Sequence, residues 1–357
     1  MKYFDIKKDI RNSINKNFLI PRLKFPTELE FEPVQLCNAL CFTCPYTTLQ
    51  KDDSYRGKAM SREKIALLLT DFGNLLKKNN YKGRSVVNPF RYSDPLVGKD
   101  LDLVFALSKK LNFKVRITTN GVSFNSKYSE LLSQHIKQLS DPISISVIGS
   151  TREKIKEFMN VNFDITISRL AYVKNKYPEL ASKIIVNLSE VESTEKENNE
   201  IMYLQKEFKK IGIQTKIRKK WINNRIIGDW KITAEPSNQV GSDNFIKSCN
   251  LYKNKLLRRI EVMVDGSVVL CDDDAEGKKS FGNVFLEGIE KIWNGKLFEY
   301  HKTIYEKKYS SQKENLICNT CSRANYVSRN DGVVDSFKEI GKISLIRKII
   351  KNEVNWL

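Results

Sequence analysis

The stretch Leu36-Cys37-Asn38-Ala39-Leu40-Cys41-Phe42-Thr43-Cys44-Pro45 sets three cysteines in a CxxxCxxC spacing, directly after a strand expected over 29–34. Iron–sulfur clusters are held by cysteine thiolates, and a cubane has four irons to ligate. Three thiolates from one loop therefore leave one iron open, where a ligand carrying an amino and a carboxylate group can chelate. A partial zinc site or three unrelated thiols is the plainer alternative. The x3/x2 spacing within one loop, with polar Asn38 and Thr43 and with Pro45 following, weighs against it.

Outward from this loop, the sequence from about Glu28 to Trp221 alternates short apolar, β-branched runs with longer amphipathic stretches, as βα units around a parallel sheet do. Strands are expected over 29–34, 85–90, 114–119, 143–147, 184–188 and 214–217. Ser61 is placed to N-cap a helix whose Ile65, Leu68, Leu69, Phe72, Leu75 and Leu76 share one face. Thr194 and Glu197 read as a capping box, and Gly212 falls where a helix end favours a left-handed residue. Six such units are fewer than the eight of a closed barrel, so the fold class is α/β: a partial (β/α)6 TIM-type barrel. Ligands of such a fold sit at the C-terminal ends of the strands, which is where the three-cysteine loop falls.

Beyond Trp221 the pattern changes. A Gly228-Asp229 turn and a loop through 237–243 precede a stretch over 261–270 that reads as a β-hairpin about Asp265-Gly266. The expected division is an N-terminal extension at 1–28, the barrel at 29–234, a small α+β cluster-binding domain at 235–325 and a tail at 326–357 holding an amphipathic helix (Ile343, Leu345, Ile346, Ile349, Ile350). Cys249, Cys271, Cys318 and Cys321 lie in this second part, with the hairpin between the first two. Four thiolates from a hairpin and a CxxC knuckle can close a tetrahedral zinc site or ligate a second 4Fe-4S cluster fully.

With 61 Lys+Arg against 42 Asp+Glu the formal net charge is +19. The lysines are spread through a chain rich in Lys, Asn and Ile, with no Arg-rich or aromatic-interleaved tract, so a nucleic-acid surface is not expected. There is no apolar run long enough to span a bilayer, and the first eight residues carry charge where a signal peptide needs apolar ones. A cytoplasmic location is therefore expected, where thiols stay reduced. Seven cysteines then point to metal rather than disulfides.

With these motifs in this order the chain resembles the radical S-adenosylmethionine (SAM) superfamily, whose mark is a CxxxCxxC loop after the first barrel strand. One departure is visible: the family usually has an aromatic residue just before the last cysteine, where Thr43 stands here and Phe42 lies one position earlier. Asn88-Pro89-Phe90-Arg91-Tyr92-Ser93-Asp94-Pro95 resembles the family's Gly-Gly-Glu-Pro segment, with Ser93 for the second glycine. The resemblance implies that Asp94 binds the SAM ammonium. Thr119 and Asn120, in a segment similar to the family's third strand, and Ser144, Ser146 and Asn187 match polar positions near the SAM carboxylate and ribose. Alternating serines can equally mark one polar face of a strand. Gly266 and Cys271, then Gly282-Asn283-Val284 and Ile292-Trp293, resemble the C-terminal extension called SPASM or, with four cysteines and one auxiliary cluster, Twitch.

The resemblance implies two 4Fe-4S clusters, one on Cys37, Cys41 and Cys44 and one on Cys249, Cys271, Cys318 and Cys321. Reductive cleavage of SAM would give a 5′-deoxyadenosyl radical that takes a hydrogen from the substrate, with flavodoxin or ferredoxin as electron donor. Asp272 or Asp274 is a candidate base and Arg225 a candidate anchor for SAM or an anionic substrate; a solvated acidic loop and a bridge between domains are the plainer readings. Two substrate classes compete, a small sugar, aminocyclitol or nucleotide sugar and a peptide or protein side chain. With about 28 residues ahead of the first strand, fewer than a separate leader-recognition domain needs, the small molecule is favoured. A non-catalytic zinc protein that binds nucleic acid is the alternative of another class. His135 and His301 are the only histidines and are expected on the surface or in the core.

Overall fold

The computed structural model describes residues 21–191, 194–218, 244–248, 258–272, 274–277, 279–305, 325–328 and 354–356. Its strands are β1 (Pro21–Leu23), β2 (Glu28–Phe31), β3 (Val86–Asn88), β4 (Lys114–Val115), β5 (Thr118–Thr119), β6 (Ile143–Ile148), β7 (Ile184–Ser189), β8 (Gln214–Arg218), β9 (Asn244–Ser248), β10 (Arg259–Val262), β11 (Val268–Val269), β12 (Asn325–Ser328) and β13 (Val354–Trp356). One sheet runs β11-β10-β2-β3-β4 and another β5-β6-β7-β8; β1 pairs with β13 and β9 with β12. All six expected barrel strands are present and parallel.

The strand expected over 114–119 is interrupted between β4 and β5, and there the chain passes from one sheet to the other. The Arg116 amide donates to Val87 on one side (2.9 Å), while the Ile117 carbonyl accepts from Ser144 on the other (3.0 Å). Curvature thus carries the two sheets into a partial barrel.

Residues alternate across most of this wall, with Val86, Ile148 and Ile185 as apolar exceptions on the otherwise polar face. Leu29, Phe31, Val87, Val115, Ile145, Val147, Val186 and Leu188 are at most 2% exposed and belong to the main apolar core. The positions between them are polar: Glu28 and Glu30, Asn88, Arg116, Ser144 and Ser146, and Asn187. Parallel sheets are normally covered by apolar contacts on both faces. A polar inner face therefore reserves that space for something other than a dry core.

The helices form for the reasons legible in the sequence. Ser61 Oγ accepts from the Lys64 amide at 3.3 Å and starts the helix Arg62–Lys78, whose six apolar positions named above are all buried. Thr194 caps Glu195–Lys210 by accepting from the Glu197 amide (3.2 Å). The expected capping box changes in one respect, because Glu197 Oε1 accepts from the Val191 amide (2.7 Å) and so ties the helix back to the end of β7. Gly212 has φ +69° at the far end of that helix.

The hairpin about Asp265-Gly266 forms, with Gly266 at φ +95° and Asp265 Oδ1 accepting from the Ser267 amide (2.8 Å). Its first strand, β10, pairs in parallel with β2 from Arg259↔Glu28 to Val262↔Phe31. Sheet hydrogen bonding therefore continues across the boundary expected near 235. Trp293 is fully buried and its indole N–H donates to Leu23 O at 3.0 Å, fastening this region to β1, just ahead of the barrel. The N-terminal 1–20, the Gly228-Asp229 turn and the helix expected over 343–350 lie outside the described residues. Among the described residues no helix is long and apolar enough to cross a membrane.

Candidate active site

Cys37, Cys41 and Cys44 lie on the loop between β2 and Arg62–Lys78, each partly buried. The loop is anchored from within and from outside. Cys41 O accepts from the Cys44 amide (2.9 Å) and from Thr47 Oγ1 (2.7 Å), while the Leu40 and Phe42 amides donate to Met159 O and Phe158 O (2.8 and 2.9 Å). Thr43 is buried, whereas the Phe42 ring packs 5.0 Å from that of Phe158 and remains 39% exposed. The aromatic neighbour of the last cysteine is thus displaced outward and rests on another helix.

Burial, followed by the nearby Asp94 and Cys44, pushes the Cys37 thiol up to about 12, against hydrogen bonds from the Ala39 and Asn38 amides. A thiolate at Cys37 is therefore disfavoured unless a cationic centre joins it, which is the environment an iron–sulfur cluster supplies. Among the described residues no three Cys, His, Asp or Glu side chains are drawn together as a closed metal centre.

Asp94 stands at the end of the loop after β3, 2% exposed. Its Oδ2 accepts from Thr119 Oγ1 (2.7 Å) and the Asn120 amide (3.0 Å), and Oδ1 accepts from the Leu96 amide (2.9 Å). Burial pushes its carboxyl up despite these donors. A ligand ammonium would offset that penalty directly, so the residue fits the role expected of it. Asn120 reaches from this cluster to the cysteine loop: its Nδ2 donates to Asn38 Oδ1 (2.6 Å) and lies 3.9 Å from Cys37 Sγ. Ser93 Oγ is buried with no hydrogen-bond partner among the described residues.

On the other sheet, Asn187 Nδ2 donates to Ser144 Oγ (2.6 Å), and Arg218 Nε donates to Asn187 Oδ1 (3.0 Å). Ser144 and Asn187 are brought together, and Ser146 pairs with Asn187 across the strands. Arg218, at the end of β8, was not anticipated.

Nor was a charged group where β2, β3 and β10 meet. Arg259 Nη1 is 2.8 Å from Glu30 Oε2, its Nη2 contacts Glu261 and lies 3.3 Å from Asp272 Oδ2, and Asn88 Nδ2 donates to Glu30 (3.3 Å). Arg91 pairs with Glu261 (3.4 Å) and donates to the Asp274 carbonyl (3.0 Å). Burial pushes the Glu261 carboxyl up; Arg259 opposes this, while Glu30 and Asp272 add to it. Burial likewise raises Glu32, which accepts from Gln35 and Tyr55. The period-two spacing of Glu28, Glu30 and Glu32, and of Arg259 and Glu261, was the available signal: charges on one face of two strands.

Cys271 is buried at the end of the hairpin, and Asp272 is engaged by Arg259 while Asp274 is 1% exposed. Cys249, Cys318, Cys321 and Arg225 lie outside the described residues. His135 stacks on Phe105, with centroids 5.2 Å apart, and His301 is buried beside Trp293.

Residues 249–322 match the SPASM family, described as an iron-sulfur cluster-binding domain. No curated protein matches the chain by sequence. In three dimensions the fold is similar to that of BtrN, solved in complex with AdoMet and 2-DOIA: 15% identity, TM-score 0.50, covering 84% of this chain and 93% of that one. It is also similar to Streptococcus suis SuiB bound to the precursor peptide SuiA: 16% identity, TM-score 0.55, covering 90% of this chain and 75% of that one. The expected partial barrel with a SPASM-type region is borne out.

Proposed function

We propose that this chain is a radical SAM enzyme that abstracts a hydrogen from a small polar substrate of the sugar, aminocyclitol or nucleotide-sugar class. The observation that carries the reading is the three-thiol loop set beside the buried Asp94 carboxylate at the C-terminal ends of parallel strands. Cys37, Cys41 and Cys44 would hold a 4Fe-4S cluster with one iron open. When bound, that cluster supplies the electron for reductive cleavage of SAM to methionine and a 5′-deoxyadenosyl radical. Asp94 pairs with the ammonium of SAM and Ser93 offers its hydroxyl beside it; Thr119 and Asn120 hold Asp94 in place. Ser144, Ser146 and Asn187 meet the remaining polar groups of SAM.

Cys249, Cys271, Cys318 and Cys321 all fall within the SPASM-matched residues and would hold an auxiliary 4Fe-4S cluster. Asp272 or Asp274, next to Cys271, is the candidate base, and Arg225 a candidate anchor for an anionic group. An electron donor of the flavodoxin or ferredoxin type serves the reaction.

The polar inner face supports the small-molecule class. Hydroxyl and amino groups need fixed donors and acceptors, and on that face Asn88 Oδ1, which accepts no hydrogen bond among the described residues, and the Arg218 guanidinium supply both. The fold shared with BtrN, solved with 2-DOIA, is in keeping with this; the fold shared with SuiB, solved with a peptide, keeps a peptide-modifying reading as the second.

Anaerobic reconstitution followed by iron counting and product analysis tests the proposal. About eight irons per chain and formation of 5′-deoxyadenosine are expected if both clusters are 4Fe-4S. Alanine at Cys37, Cys41 and Cys44 abolishes that product; its persistence refutes the reading. Conversion of amino sugars or aminocyclitols, tested against a peptide library, separates the two substrate classes.

A further inference from the structure

Two independent contacts join the loops that carry the chemistry. The first is apolar. Tyr46, Tyr92 and Ala275 form a small buried cluster of their own, with Cys37, Leu40, Cys44, Leu49 and Tyr55 packed around it. Tyr46 belongs to the three-cysteine loop, Tyr92 to the Asp94 loop and Ala275 to the loop that follows Cys271. The second is polar. The Arg91 side chain, 1% exposed, sends Nη2 to the Asp274 carbonyl (3.0 Å) and Nη1 to Glu261 (3.4 Å), with its guanidinium 5.6 Å from the Tyr92 ring centre.

A buried guanidinium is weak support for stability, because its dehydration offsets most of what its partners return. Its particular property is a planar, rigid fork that fixes two acceptors relative to each other. Arg91 stands three residues before Asp94, and the carbonyl it holds is three residues after Cys271. Displacement of either loop opens the fork.

We propose that Arg91 is a positioning residue that sets the Cys271–Gly277 loop against the Asp94 loop, so that occupancy of the Asp94 site is transmitted to the Cys271 loop. The transmission rests on Asp94 being the SAM ammonium site; the positioning does not.

Hydrogen–deuterium exchange on peptides spanning 271–277 and 143–148 tests both parts. Without SAM, Arg91→Met speeds exchange of 271–277 by about tenfold while 143–148 stays protected, because the loop loses its tether while β6 keeps its own ladder. In reconstituted wild-type protein, SAM slows exchange of 271–277; in Arg91→Met this slowing is lost although equilibrium dialysis still finds SAM bound. Arg91→Lys, which keeps the charge without the fork, gives an intermediate response. Unchanged exchange of 271–277 in SAM-free Arg91→Met overturns the positioning role. Equal slowing by SAM in wild-type and Arg91→Met, or none in SAM-bound wild type, overturns the transmission. If Arg91→Met also loses protection over 143–148, the lysine variant decides, and wild-type behaviour there overturns the proposal. Wild-type protein that binds no SAM refutes the functional reading instead, and leaves the SAM-free comparison to decide on Arg91.

Discussion

Arg259 Nη1 meets Glu30 Oε2 at 2.8 Å, although Glu30 opens the barrel and Arg259 begins a hairpin far along the chain. Both side chains are buried, and the parallel pairing of β10 with β2 sets Arg259 opposite Glu28 and Glu261 opposite Glu30, so that Arg259 meets Glu30 diagonally on one face. The charged group therefore fastens the two cysteine-bearing regions together.

Removing one partner of such a buried pair leaves an uncompensated charge. Arg259→Met is expected to lower stability by about 3–5 kcal/mol. Chemical denaturation measures it. Adding Glu30→Gln and Glu261→Gln to that variant recovers part of the loss, since the stranded carboxylates are then neutral.

Asp94→Asn keeps the shape of the side chain but removes its charge and presents an amide donor to the Asn120 amide and Thr119 hydroxyl that Oδ2 now accepts from. SAM affinity is expected to fall by at least about tenfold, equivalent to about 1.4 kcal/mol. Equilibrium dialysis of the reconstituted protein checks this, and iron content stays at the wild-type value because no cysteine is altered.

Burial raises the Glu261 carboxyl above its ordinary 4.5 in the folded protein. Between that value and the folded one, the folded state binds more protons than the unfolded chain. The contribution of Glu261 to stability is therefore complete below 4.5 and is lost as pH rises through the folded value. Thermal melts of the metal-free protein from acid to neutral pH will show a decline with pH that is shallower in Glu261→Gln. An equal slope in both removes Glu261 as the titrating group.

Gly266 and Gly57 offer a matched pair, with φ +95° and +76°. A Cβ on Gly266 would run into Phe285 Cδ2, whereas one on Gly57 meets nothing within 4 Å among the described residues. Both alanine variants bear the left-handed strain of about 1–3 kcal/mol, and Gly266→Ala bears the clash besides. The difference between their melting temperatures isolates the packing of the hairpin turn on the segment that follows Asn283.

Much of this protein was legible in order along the chain. The strands, the Ser61 and Thr194 caps and the Asp265-Gly266 turn follow from local chemistry: apolar periodicity, a side-chain oxygen facing a free amide, a backbone angle that glycine tolerates. The CxxxCxxC spacing likewise determined, by itself, that three thiols share one loop at the rim. The rest depended on partners distant in sequence. That Arg91 would reach Asp274, that Arg259 would meet Glu30, and that Arg218 would join Asn187 and Ser144 could not be read from any window, because charge on a strand reads as exposed until a second strand covers it. The parallel seat of β10 beside β2 made that decision: it buried the charges together, and burial made their pairing obligatory.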